Sequence, residues 1–387
     1  MSVTAAEGFR AQGVSSGIKP GSELDLAVIA ADGPVNAAAV FTTNQATAAP
    51  VIVSKAHLAL GTGIAAIVAN SGCANAATGA QGEAAARAMA VATAGTLGCA
   101  PGQVLVASTG PIGPQLPLDA VLAGIELATG DLGSGGGGGS RAAAAILTTD
   151  SVAKEATVAA GGYKVGGMAK GSGMIRPDMA TMLAFLTTDA RIDAADLSAA
   201  LGPAVDASFH SLNIDGCAST NDTVAVLASG ASGVSPSVGE LARSLSEVCV
   251  RLSEMMAADA EGASRVVEIN VRGAASDGAA RIAGRAMADS VLVRASFFGG
   301  DPNWGRVIGA VGASGIHFDP LKFDVAYEGI TVAQHGVAVA FDEAEVLDRM
   351  ERGDLTIDVA IGDGNGIARV LTTDLTPDYV VFNGERS

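Results

Sequence analysis

Positive charge is scarce in the 387-residue sequence: 23 Lys and Arg stand against 40 Asp and Glu, a formal net charge of −17. No run of Lys or Arg follows the chain, which argues against nucleic acid and anionic membranes as partners. An anionic substrate stays open, because a pocket can hold local cations against the global sign. Aromatic residues make up only 4 %, so the core has to be assembled from small residues packed closely. Cysteine is scarcer still. Cys73, Cys99, Cys217 and Cys249 include no CxxC pair, and disulfide scaffolds are small and Cys-dense, so reduced thiols in a cytosol are expected. His57, His210, His317 and His335 form no HxxxH or HExxH pattern, so no metal site is expected. No stretch reaches the ~18 apolar residues of a membrane span. The N-terminus lacks the basic and apolar regions of a secretory signal, so a cytoplasmic protein is expected.

Hydrophobic residues, at 49 %, outweigh charged ones at 16 %, which rules out disorder as the general state. Short apolar runs recur between Gly-rich turns: Leu26–Ala31, Ala65–Ala69, Val104–Ala107 and Met182–Leu186 read as buried strands. Glu83–Leu97 reads as an Ala-rich helix stopped by Gly98. Gly239–Ala260 sets Leu241, Leu245, Val248, Leu252 and Met255 at helical spacing. Strands mixed with helices give an α/β (α+β) class. Composition makes Gly133–Ser140 a flexible surface loop. A second change falls near Ser264. Beyond it, Val266–Val271, Phe323–Tyr327, Val337–Phe341 and Leu355–Ile361 read as strands around a helix at Asp342–Glu351. The expected organisation is a catalytic domain over 1–264 and a smaller α/β domain over 265–387. Asp363-Gly364-Asn365-Gly366, between apolar runs, carries a hairpin signal.

Familiar catalytic patterns are missing. No Ser sits in a G-x-S-x-G elbow, and the Gly-rich stretches lack both the G-K-[ST] ending of a phosphate loop and a clean G-x-G-x-x-G. The stretch Met168–Asp189 stands out instead. A Lys-Gly-Ser-Gly segment leads through Pro177 and the small Ala180 into Thr181, with an apolar run directly after. A hydroxyl there suits autoproteolysis: Thr181 attacks the Ala180 carbonyl, the acyl group moves from nitrogen to oxygen, and hydrolysis frees an N-terminal Thr. Its α-amine, with a reference pKa near about 7.7–8.0, can serve as base for the adjacent hydroxyl. Taken alone, a Thr opening a strand is more often just a β-branched strand residue.

Several distant segments change that weighting when taken together. GFRAQGVSSGIK, NSGCANAATG (Asn70–Gly79), STGPIG (Ser108–Gly113), AILTTDSVAKE, AKGSGMIRPDMATMLAFLTTDA, DGCASTNDT (Asp215–Thr223), DAEGASR (Asp259–Arg265) and GGDPNWGRV (Gly299–Val307) run in order along nearly the whole chain. This set resembles the ornithine acetyltransferase (glutamate N-acetyltransferase) family of arginine biosynthesis. The resemblance implies an N-terminal-nucleophile-like layered sandwich, cleaved between Ala180 and Thr181. It implies that Thr181 takes an acetyl group from N-acetylornithine and passes it to glutamate. Thr109 and Gly110 would then form the oxyanion hole, while Thr148, Lys170, Thr181, Glu261 and Asn383 would bind substrate. The two fragments would assemble as an α2β2 heterotetramer without a cofactor, with acetyl-CoA possible as a second donor. Three positions depart from the family: Cys73 stands where Asn is frequent, Arg294 replaces a Lys, and the chain ends Asn383-Gly384-Glu385-Arg386-Ser387 without the usual aromatic residue.

Two other enzyme readings share the nucleophile: an N-terminal-Thr amidohydrolase or aminopeptidase, and a paralogous acyltransferase of secondary metabolism. An uncleaved binding protein is a third alternative. Intact mass spectrometry separates the last from the rest, since the processed chain is expected as two fragments, the second beginning at Thr181. Thr181→Ala is expected to remain full-length and inactive; a full-length mass in the unsubstituted protein would sink the nucleophile assignment.

Overall fold

A computed structural model of the chain describes residues 2–21, 23–133, 136–176 and 182–385. It divides into two compact units. The first comprises Met1–Met174, Asp178–Phe209 and Cys217–Met256; the second comprises Ile175–Pro177, His210–Gly216 and Ala257–Ser387. The composition change at Ser264 thus lies inside the second unit, and the chain enters that unit twice before its main body begins.

The first unit opens with β1 (Phe9–Val14), β2 (Leu26–Phe41), α1 (Ala49–Leu58), β3 (Ile64–Asn70), α2 (Gly79–Leu97) and β4 (Val104–Ser108). It continues with α3 (Leu118–Gly130), α4 (Gly136–Ala145), β5 (Lys154–Ala160) and β6 (Tyr163–Lys170). It closes with β7 (Leu183–Thr188), α5 (Ala194–Asp206), β8 (Thr223–Ala228) and α6 (Val238–Ala258). The strands run in the order β4-β3-β2-β8-β7-β6-β5, with β1 on β2.

β2 is the strand that shapes this unit. Its first half pairs with β3 (Leu26 opposite Asn70) and its second half with β8 (Phe41 opposite Thr223), and the register breaks between Ala30 and Val35. A straight strand of that length would hold its two ends roughly 50 Å apart at about 3.3 Å per residue. Yet Asn221, beside the Phe41 end, donates from its side chain to Ser108 O at 2.9 Å, beside the Leu26 end. The strand therefore folds over at Asp32-Gly33-Pro34 and passes from one sheet to another. The two sheets face each other across a core that joins Ile29, Ile67 and Leu105 of one to Met168, Phe185 and Leu227 of the other. Helices cover the outer faces. Val53 of α1, Met89 of α2 and Ile125 of α3 pack against Val28, Val68 and Val106. On the other side Gly167 lies beneath Val248 and Leu252 of α6. The result is four layers, helix–sheet–sheet–helix.

Local chemistry explains the helix ends. Gly98 stops α2 in the left-handed region at φ 71°, a conformation glycine adopts without a Cβ clash. At the start of α6, Ser237 Oγ accepts from Glu240 N (3.3 Å) while the Glu240 carboxylate accepts from Ser237 N (2.9 Å), a reciprocal cap. Leu241, Leu245, Val248 and Leu252 form the buried stripe of that helix. Met255 is 38 % exposed and Met256 takes its place in the core.

From residue 136 onward the glycine run is not a loop. Gly136–Ala145 is α4, and it packs directly on β1. A Cβ on Gly138 would lie 2.2 Å from Ala11 O, and one on Gly13 would lie 2.0 Å from Arg141 O. Glycine is needed because strand and helix backbones touch here. Composition alone misled because it reads glycine as flexibility, whereas this contact uses the missing side chain.

The second unit holds β9 (Val266–Ala274), α7 (Asp277–Asp289), α8 (Val291–Phe298), α9 (Trp304–Gly312), β10 (Asp324–Tyr327) and β11 (Ile330–Gln334). Then come β12 (Val337–Ala338), α10 (Glu343–Met350), β13 (Leu355–Ala360), β14 (Gly366–Thr373) and α11 (Pro377–Glu385). Its sheet runs β12-β11-β10-β13-β9-β14. The apolar run after Val337 contributes only two strand residues. The Asp363–Gly366 turn does not close a hairpin: β13 pairs parallel and β14 antiparallel with the same strand, β9, on opposite sides. The turn crosses the end of β9, where a Cβ on Gly364 would meet Ala274 O at 2.0 Å. Among the described residues no helix is long and apolar enough to cross a membrane.

Two alanine substitutions in α4 test the backbone contact. Nothing lies within 4 Å of a Cβ on Gly137, so Gly137→Ala is expected to stabilise by about 1 kcal/mol through helix propensity. Gly138→Ala is expected to destabilise despite the same propensity gain. Denaturant melts that shift in the same direction for both would contradict the packing role.

Candidate functional site

Two sequence motifs build one corner of the first unit by hydrogen-bonding to each other. Thr109 N donates to Asn70 O (2.9 Å), Cys73 N to Thr109 O (3.1 Å), Ala74 N to Pro111 O (3.1 Å) and Gly113 N to Ala76 O (3.1 Å). The 70–79 segment is thereby clamped to the 108–113 segment just beyond β3 and β4. Asn75 and Ala77 both take positive φ, 48° and 58°. For a non-glycine residue this is a strained conformation of the kind that gathers at functional sites. Gly110 has φ 136°, and a Cβ there would lie 2.5 Å from Cys73 N. No described residue accepts its N–H.

Thr109 is buried, and its hydroxyl accepts a hydrogen bond from Lys170 Nζ at 3.2 Å. Lys170 ends β6, and its side chain is 2 % exposed. Its ammonium lies 3.9 Å from Asp150 Oδ2, while Lys154 Nζ lies 2.7 Å from Asp150 Oδ1. Two buried ammonium groups thus face one buried carboxylate. Asp150 also accepts from Gly171 N (2.6 Å) and from Thr148 N (3.2 Å), tying half-buried Thr148 into the cluster. Burial pushes the Asp150 carboxyl up. The charges of Lys170 and Lys154, with the Lys154 and Gly171 hydrogen bonds, outweigh it and hold the group below the usual carboxylate value.

Cys73, the departure from the family pattern, sits in the same corner. Burial raises its thiol, so it stays protonated at neutral pH and offers no competing nucleophile.

At the entry to β7, Met182 N donates to Asp222 Oδ1 at 2.9 Å, and Thr223 N donates to Met182 O at 3.2 Å. Asn221 Nδ2 donates to Ala74 O (2.6 Å) and Ser108 O (2.9 Å). The Asn221-Asp222 pair therefore braces the head of β7 on one side and the Thr109–Gly110 turn on the other. Burial raises the Asp222 carboxyl well above its usual value, against the Met182 N–H, the Lys170 charge and the Ser219 hydroxyl.

Of the residues expected from sequence, Thr109, Gly110, Thr148 and Lys170 come together in this corner. Ala180 and Thr181 lie outside the described residues, as does Ser387. Glu261 and Asn383 belong to the second unit. Glu261 is half-buried in the turn between α6 and β9. A Cβ on the next residue, Gly262, would meet Tyr379 N at 2.4 Å, Thr376 Oγ1 donates to Gly262 O, and Ser264 N donates to Asp374 Oδ1 at 3.0 Å. The start of α11 thus holds the Glu261 turn. Exposed Asn383 lies on the same helix, its side chain donating to Tyr379 O at 3.1 Å. Arg294 is buried and donates to Thr373 O (2.9 Å) and Asp374 O (3.0 Å) in the same cluster. A guanidinium makes several such bonds at once where a Lys offers a point charge.

Sequence reasoning missed Asp150, Lys154, Asn221 and Asp222. The signal was present: Asp150 and Lys154 stand four apart inside TTDSVAKE, and the Asn-Asp pair sits inside the STNDT motif.

Four layers with a strained, cation-lined turn at one sheet edge place this molecule in the N-terminal-nucleophile class of folds. The chain belongs to the ArgJ family, whose model matches residues 10–387. It is 46 % identical over 388 residues to the arginine biosynthesis bifunctional protein ArgJ of Thermobifida fusca, covering 100 % of both chains. It is 45 % identical over 393 residues to the protein of that name from Mycobacterium tuberculosis strain H37Rv, covering 100 % of this chain and 96 % of the other. A crystal structure of the Bacillus halodurans ArgJ protein matches at 33 % identity with TM-score 0.50, covering 51 % of this chain and 96 % of that one. A Mycobacterium tuberculosis ornithine acetyltransferase solved with ornithine matches at 44 % identity with TM-score 0.44, covering 46 % of this chain and 94 % of that one.

A carboxyl held below its usual value contributes stability that is present above the unfolded-state pKa, about 3.9, and is lost as pH falls through the folded-state value. Asp150→Asn removes the buried carboxylate that both ammonium groups face and is expected to destabilise the protein by about 3–5 kcal/mol at pH 7. The gap from wild type should narrow below about pH 3.9. Urea melts across pH that give parallel curves would refute the buried-pair account.

Proposed function

We propose that this chain is a self-processing glutamate N-acetyltransferase (ornithine acetyltransferase) of arginine biosynthesis, with Thr181 as the acyl-carrying nucleophile. The observation that carries the reading is the Thr109–Gly110 turn: a hydroxyl held by a buried ammonium stands beside an unclaimed backbone N–H. Two donors so placed suit the oxyanion of an acyl-transfer intermediate, each worth about 10²–10³ in rate. Because Lys170 donates to the Thr109 oxygen, the hydroxyl proton is left to point elsewhere, and the ammonium adds its charge where negative charge develops.

Cleavage between Ala180 and Thr181 frees the α-amine, which takes the Thr181 hydroxyl proton as Oγ attacks the acetyl carbon of N-acetylornithine. The proton passes to the departing amine, and ornithine leaves. Glutamate's amine then attacks the acetyl ester, yielding N-acetylglutamate and restoring Thr181. Lys170 and Thr148 serve the α-carboxylate that both substrates share, Glu261 the cationic end of ornithine, and Asn383 completes the substrate contacts. No cofactor takes part. The name shared by the relatives, a bifunctional protein, supports acetyl-CoA as a second donor. The two fragments remain together as an α2β2 heterotetramer in the cytoplasm.

A donor and acceptor screen with purified protein tests this. Transfer to glutamate from N-acetylornithine, and from acetyl-CoA, is the expected result. Release of free acetate without acceptor dependence would turn the reading into an amidohydrolase, and activity confined to other acyl donors would turn it into a paralogue of secondary metabolism.

A further inference from the structure

The α-amine that acts as base in acetyl transfer does not exist before maturation. Its nitrogen is then the amide of the Ala180–Thr181 bond and cannot take a proton, so the cleavage step needs its base from another part of the fold. Covalent geometry limits the search. Thr181 precedes Met182 by one peptide bond, so its Oγ lies within about 5 Å of the Met182 nitrogen in any conformation.

Asp222 is bonded to that nitrogen: Met182 N donates to Oδ1 at 2.9 Å. The side chain is fully buried, and Oδ2 has no hydrogen-bond partner among the described residues. Its position is fixed by its neighbours. Thr42 N donates to Asp222 O at 3.0 Å, and Asn221 is anchored to Ala74 and Ser108. The other ionisable groups of this corner are already engaged, Lys170 with Thr109 and Asp150 with Lys154.

We propose that Asp222 is the general base of self-cleavage, accepting the Thr181 hydroxyl proton on Oδ2; this rests on the self-processing reading of Thr181. As the proton moves to Oδ2, Thr181 Oγ bonds to the Ala180 carbonyl carbon. The resulting tetrahedral carbon collapses, its bond to nitrogen breaks, and the proton passes from Asp222 to that nitrogen, which becomes the α-amine. Water then hydrolyses the Ala180 ester, leaving a carboxylate on Ala180 and the hydroxyl on Thr181. Burial, which raises the carboxyl well above its usual value, makes it a stronger base than an exposed aspartate.

The test follows conversion of full-length chain to fragments by intact mass for wild type, Asp222→Asn and Asp222→Glu, with acetyl transfer measured in parallel. Asparagine keeps an acceptor for Met182 N–H but cannot take the proton. Asp222→Asn is expected to slow cleavage by about 10² or more, while melting close to uncut Thr181→Ala. Asp222→Glu is expected to cleave faster than Asp222→Asn. Wild-type cleavage kinetics in Asp222→Asn, or equal slowing in both variants, overturns the proposal. If Asp222→Asn melts far below uncut Thr181→Ala, the wild-type rate in D2O decides: about twofold slowing or more supports proton transfer, and no slowing overturns it. Wild type that cleaves but transfers no acetyl group refutes the acetyltransferase reading and leaves the Asp222 assignment standing.

Discussion

The fold-over of β2 is the constraint on which the chemistry depends. Because Leu26 and Phe41 end up at the same edge of the sandwich, the ends of β3 and β4 meet the beginnings of β7 and β8. Thr109 comes from one sheet and Lys170 from the other, and only this arrangement lets one hydrogen bond join them. Gly33 and Pro34 at the corner suit that job, one through backbone freedom and the other through a fixed φ. The core between the sheets then sets their separation, with Ile67 and Leu105 facing Phe185 and Leu227.

Electrostatics at the edge runs against the charge of the whole molecule. The chain carries a net charge of −17, yet the buried corner gathers Lys154 and Lys170 at the Asp150 carboxylate. An anion entering it meets charges that have already lost their water, where each interaction is worth more than in bulk solvent. Asp25 holds the neighbouring 16–19 turn in a similar way, its carboxylate accepting the backbone N–H groups of Ser16, Gly17, Ile18 and Lys19.

Much of this was legible in the sequence, and the exceptions share a cause. Apolar runs such as Ala65–Ala69 and Val104–Ala107 located buried strands, and the spacing in α6 located its core face as far as Leu252. The motifs also carried Thr109, Gly110 and Lys170, which the structure brings together. What failed was glycine. Composition treats it as a turn or a linker, while Gly138 and Gly364 are places where two backbones come into contact. Such contacts are set by distant segments, so no local pattern encodes them. Asp222 was obscured for a related reason: its importance comes from a parallel neighbour, β7, some 40 residues earlier in the chain.

Gly110 also has a bearing on how such a site can change over evolutionary time. In the proposed mechanism the group it offers to a developing anion is a main-chain N–H, which every residue except proline would also carry, so no substitution can tune its acidity. Substitution acts through the clash with Cys73 N and through the φ of 136°, which favours glycine. A mutational scan would therefore report this position as a steric one and would score Thr109 alone as chemical, although the two donors have the same task. Selection can adjust the strength of this corner only through the hydroxyl and the lysine behind it, while the amide stays as an inheritance of the fold.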